Sequence, residues 1–144
     1  MPTNSRPEPL AFLRVRYASE AKNGIVVAVG VIPFAPNAYV EGDAGANFDT
    51  AYAVEIANAA IRENAGLLLT HQHGGRGTPS FSGVDRQTNR QVMLQLAIGV
   101  PYVPYGAIVL SDDAATAVVA RDRHLVDADV VVVSDAIGAI DLRA

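Results

Sequence analysis

Residues 66–85 read GLLLTHQHGGRGTPSFSGVD, and the fold is decided in this stretch. Leu67, Leu68 and Leu69 make a short apolar run closed by Thr70, which predicts a buried strand. His71 and His73 follow directly. Residues i and i+2 of a strand point to one face, so the two imidazoles can converge. Residues 72–81 are rich in Gly and Pro and predict a loop. Ser82 and Asp85 then form a Ser-x-x-Asp pattern before an apolar run, the signature of a capped helix start. The predicted helix covers about 84–98, turns Val92, Met93, Leu96 and Ala97 inward, and is stopped by Gly99 and Pro101.

Working outward, residues 11–17 (AFLRVRY) alternate apolar and basic and predict a half-buried strand. A polar segment ends in the turn pair Asn23-Gly24, and residues 24–34 (GIVVAVGVIPF) predict a β-branched strand, so the two should form a hairpin. Residues 37–47 read as loop. Ala53, Ile56, Ala57, Ala60 and Ile61 give a helical stripe, capped at Asp49 or Thr50 and ended by Gly66. Beyond residue 105, strands are expected at 106–110, 117–121 and 128–133. The order β-β-α-β-α-β-β-β predicts an α/β (α+β) fold: a mixed sheet flanked by helices.

The length of 144 residues suits a single domain, 1–144, with residues 1–7 expected to be flexible. Half of the residues are hydrophobic, 18% are charged and the mean hydropathy is +0.20, which excludes a disordered chain. The net charge of −4 comes without a basic stripe, so neither nucleic acid nor an anionic membrane surface is an expected partner. The absence of cysteine excludes disulfides, thiol nucleophiles and thiolate metal sites. The polar, proline-rich start lacks the apolar core of a signal peptide, and the longest apolar runs are too short to span a bilayer; a cytoplasmic protein is expected.

The chemistry gathers at residues 71–85. Two imidazoles and the Asp85 carboxylate would supply three metal ligands and leave a position open, as in catalytic zinc sites. Ser82 and Asp85 also have the plain role of starting a helix, and both roles can hold at once. His124, in the charged stretch 121–124, is expected to face solvent without a role.

The His71-Gln-His73 pair, the loop 74–81 and Ser82-Gly-Val-Asp85 together resemble the H-x-H…S-x-x-D signature of the JAMM metalloproteases, the catalytic MPN domains, whose layout is cytidine-deaminase-like. The resemblance runs over about residues 8–133. Residues 31–39 and 79–85 look most like bacterial members, some of which are fused to or encoded beside E1-like adenylating proteins. It implies Zn2+ held by His71, His73 and Asp85, and a Ser82 hydroxyl that polarises the scissile carbonyl. It also implies an upstream glutamate as general acid/base. In the family that glutamate opens a strand of the form E-x-x-x-x-L, and Glu8 with Leu13 fits best; Glu20 and Glu41 are competitors. Gly74 stands where the family usually has proline, and the 11 residues between His73 and Asp85 are one more than usual. Family members also carry a helix before the glutamate, whereas seven residues precede Glu8.

The implied activity is a zinc-dependent peptidase or isopeptidase acting at the C-terminal tail of a ubiquitin-like protein. An edge strand could pair with such a tail. Residues 101–105 (PYVPY) could form part of a binding rim, with packing the stronger expectation for their tyrosines. Two alternatives carry different expectations. A non-catalytic MPN-like interaction module would keep the fold without a productive glutamate. A 2-His-1-carboxylate iron enzyme would use the same three ligands.

Overall fold

The computed structural model describes residues 10–18, 25–34 and 50–130. The alternating N-terminal segment forms β1 (Leu10–Tyr17), and the β-branched run forms β2 (Val26–Pro33). They pair antiparallel with a bulge at Arg14/Val15, as the hairpin expectation requires. The Asn23-Gly24 turn, the Asp49 cap and the loop 37–47 lie outside the described residues.

Helix α1 (Thr50–Ile61) buries Ala53, Ala57 and Ala60, three positions of the expected stripe. It does not end at Gly66. Asn64 adopts φ 57° and closes the helix: its N–H donates to Ile61 O at 2.9 Å, and Ala65 N–H donates to Ala60 O at 3.0 Å. That pair of bonds is a Schellman closure with asparagine in the left-handed position that glycine usually takes. Gly66 instead opens β3 (Gly66–Gln72), where a Cβ would lie 1.6 Å from the Pro104 carbonyl oxygen. Its missing side chain permits a close backbone approach and stops no helix.

The second helical region is one run in three segments: α2 (Gly83–Thr88), a π-helical turn (Asn89–Met93) and α3 (Leu94–Gly99). Its outer limits match the expected helix closely; the π turn leaves no mark in apolar spacing. Three further strands complete the sheet: β4 (Tyr105–Leu110), β5 (Ala115–Arg121) and β6 (His124–Ala128). The last is a correction, since a strand was expected at 128–133. Asp122 and Arg123, at φ 49° and 68°, turn the chain at once, so Arg121 pairs directly with His124. Two successive left-handed residues make the tight turn whose twist suits a hairpin. The valine-rich run has high β propensity, but the turn chemistry upstream sets the register. Residues 131–133 lie outside the described residues.

The sheet is mixed, in the order β2-β1-β3-β4-β5-β6, with β3–β4 its parallel pair. Both helical regions contribute to one core: Ala53, Ala57, Val92 and Met93 pack with Phe12, Leu67, Leu69 and Tyr105. Leu13, Val15, Leu68 and Ile108 form a second buried cluster from the alternate strand positions. The helices are thus not divided between the faces: among the described residues the second cluster draws on no helix. No described helix is long and apolar enough to cross a membrane.

Candidate metal centre

Strand β3 lies between β1 and β4 in the interior of the sheet, and all but the last of its residues are buried. His71 sits opposite Leu10 on one side and Val109 on the other. It belongs to the same strand face as Leu67 and Leu69, and is 3% exposed. His73 follows the strand, and its N–H donates to Leu110 O at 2.7 Å, which carries the ladder one step beyond β3. Its side chain is 27% exposed.

The loop after His73 is stitched to the β4–β5 connection. Asp112 N–H donates to Gly75 O at 2.8 Å, and the Ser111 hydroxyl donates to Gly77 O at 2.7 Å. Gly77 N–H donates to Asp113 Oδ1 at 2.7 Å, and the Thr116 hydroxyl donates to Pro79 O at 2.6 Å. Gly75 and Gly77 take φ near +93° and +95°, where a side chain would be strained. The Gly77 N–H, foremost, holds the Asp113 carboxyl below its ordinary pKa. Ser111, Asp113 and Thr116 were not legible as site residues, because no short-range spacing links them to residues 75–79.

Ser82 caps α2 as its sequence pattern requires. Asp85 N–H donates to Ser82 Oγ at 3.1 Å, and Ser82 N–H donates to Asp85 Oδ2 at 2.8 Å. This reciprocal box fixes the Asp85 carboxylate, which is 2% exposed. Oδ2 lies 3.2 Å from His71 Nε2 and 3.9 Å from His73 Nε2, and the two Nε2 atoms are 2.8 Å apart. A tetrahedral ion with ligand bonds of about 2.0–2.2 Å would separate its ligand atoms by roughly 3.3 Å. The three observed distances fall on both sides of that value. Asp85 Oδ1 is buried without a hydrogen-bond partner. An unsatisfied carboxylate oxygen is costly in a protein interior unless a cation or proton answers it. The donor set and this orphaned oxygen fit a metal, and His71, His73 and Asp85 form a cluster able to hold one.

Burial pushes the Asp85 carboxyl up, but His71, the Ser82 N–H and the Ser82 hydroxyl outweigh it and hold the pKa below 3.8. A depressed carboxyl contributes stability above its unfolded pKa and loses it as pH falls through the folded value. Metal-free protein should therefore lose this contribution only as pH drops below 3.8. Thermal melts across that range should show a smaller acid dependence in Asp85→Asn than in wild type.

Glu8, Glu20 and Glu41, the candidate general bases, lie outside the described residues. Of the tyrosines in 101–105, Tyr102 is exposed and Tyr105 is buried in the main core. Burial, with Tyr102 nearby, raises the Tyr105 hydroxyl to about 12, so it stays protonated. No protein-family model, no curated protein and no solved structure matches the chain.

Proposed function

We propose that the protein is a zinc-dependent hydrolase of amide bonds, of the JAMM type, acting in the cytoplasm on the C-terminal tail of a ubiquitin-like protein. One observation carries the reading: two imidazole nitrogens and a buried, half-unsatisfied carboxylate converge on one point. Two nitrogens and one carboxylate oxygen suit zinc with a position left open. Bound there, the ion supplies Lewis-acid polarisation of a carbonyl and brings the pKa of water toward about 7.

His71, His73 and Asp85 hold the ion. Ser82 accepts the Asp85 N–H through its Oγ, which leaves its own O–H proton to donate. That hydroxyl serves the oxygen on which negative charge develops. Glu8, assigned by resemblance, takes a proton from the attacking water and returns it to the leaving amine. An E1-like adenylating protein is the second partner the resemblance suggests.

The test compares Glu8→Gln with His71→Ala on a ubiquitin-like fusion. Glu8→Gln should keep its metal and lose roughly 10²–10⁴-fold in cleavage, the usual range for an acid–base group. His71→Ala should lose both. Ser82→Asp should keep the fold, because aspartate caps as well as serine, yet lose turnover. If Glu8→Gln cleaves like wild type, the base is Glu20 or Glu41. A wild type that holds zinc and cleaves no ubiquitin-like fusion points to the interaction module, and a coloured iron protein to the iron enzyme.

A further inference from the structure

A cavity of about 470 Å³ lies between the second helical region and strands β5–β6. Pockets of this size hold small ligands. Its lining includes Arg86 and Arg90 from the helical region, Arg123 from the β5–β6 turn, His124 at the start of β6, and a single acidic residue, Asp127. The chain as a whole carries net charge −4, so three guanidinium groups on one cavity run against its average. None of the three forms an ion pair within the described residues.

Two local features are unfavourable without a ligand. Arg86 and Arg90 stand four residues apart on a helix, where like charges repel. Arg123 sits at φ 68° in a tight turn that favours asparagine or glycine. A strained residue persists where the surroundings require it, and such residues cluster at binding sites. Leu94, Val118 and Leu125 add an apolar lining beside the three arginines, which are themselves exposed.

We propose that this cavity binds a multivalent anion bearing carboxylate or phosphate groups. The planar guanidinium fork matches both groups, and three forks suit a ligand with more than one negative charge. The ligand is either a free small anion or an acidic segment of a protein partner. The site needs no metal, so it stands or falls apart from the hydrolase reading.

The experiment titrates the full chain with inorganic pyrophosphate and, separately, with an end-blocked tetraglutamate peptide, by calorimetry at about 0.15 M salt to screen loose surface contacts. At least one probe should bind one-to-one. Pyrophosphate alone identifies a small-anion site; tighter binding of the peptide identifies an acidic segment. Arg90→Ala should weaken binding about tenfold or more, the scale of one charged hydrogen bond, and Asp127→Asn should tighten it. Arg123→Gly should weaken binding while raising Tm, because glycine relieves the turn. Wild type treated with chelator and desalted should bind as untreated protein does. The proposal is overturned if neither probe binds. It is equally overturned if Arg90→Ala and Arg123→Gly leave binding unchanged, or if removing metal with chelator abolishes it, which would put the anion on the metal.

Discussion

Asp85→Asn is expected to leave a folded protein whose His71–His73 pair holds no metal. Asparagine keeps an oxygen where the Ser82 N–H donates, so the helix start survives. What disappears is the negative charge. The carboxylate is 2% exposed and its Oδ1 has no partner, so it is the group in the cluster most in need of a cation. A neutral amide is a poor ligand for zinc, which takes thiolate, imidazole and carboxylate. Loss of an outer partner alone weakens metal affinity 10–100-fold, so loss of this ligand should exceed about 100-fold. Elemental analysis of protein purified without added metal, with chelator competition, measures it. Ser82→Ala is the comparison: it removes a cap worth about 1 kcal/mol and leaves all three ligand atoms in place. If Asp85→Asn keeps a full equivalent of metal, the three residues do not form the site.

Gly66→Ala should be the most damaging small substitution in the sheet. The added Cβ would stand 1.6 Å from the Pro104 carbonyl oxygen and 2.7 Å from its carbon. That oxygen accepts the Leu67 N–H at 3.1 Å, so a backbone bond sits at the same point. Relief requires β3 to move from the chain entering β4, and β3 carries His71. The cost should be on the order of 3 kcal/mol, the upper part of the range for forced overpacking. That is a large share of the 5–15 kcal/mol typical of a domain. Gly74→Ala makes a sharp control, because a Cβ there meets nothing within 4 Å. It should stay within about 0.5 kcal/mol of wild type. Urea denaturation of the two variants reads the difference, and equal midpoints would refute the close approach at Gly66.

The sequence was most legible where the physics is local. His71 and His73 share a face because a strand alternates, and Ser82 with Asp85 makes a capping box because a helix start has orphan N–H groups. The same locality explains the errors. Gly66 looked like a helix end because glycine commonly is one, while the residue that forces it, Pro104, is distant in sequence. The strand expected at 128–133 followed valine propensity, whereas the Asp122-Arg123 turn had already set β6. Arginine at a left-handed turn position is a choice that propensity argues against. The Ser111, Asp113 and Thr116 contacts to the loop depend on two distant segments meeting. Nothing in either segment announces the other.

The parallel β3–β4 junction has a kinetic consequence. Strands β4, β5 and β6 form a meander of neighbouring antiparallel partners, and β1 with β2 does the same. Such local pairs close quickly, but a parallel pair must wait for its crossover, here residues 73–104, to fold back. The speed of folding should therefore be governed by the two long closures that seat β3, against β4 across residues 73–104 and against β1 across residues 18–65. His71 and His73 stand at one end of the crossover, and Asp85 lies within it. A cation caught between them would shorten the free chain that remains to be closed. In this fold a cluster able to hold a metal ion in the finished protein would act first as a fastener during assembly.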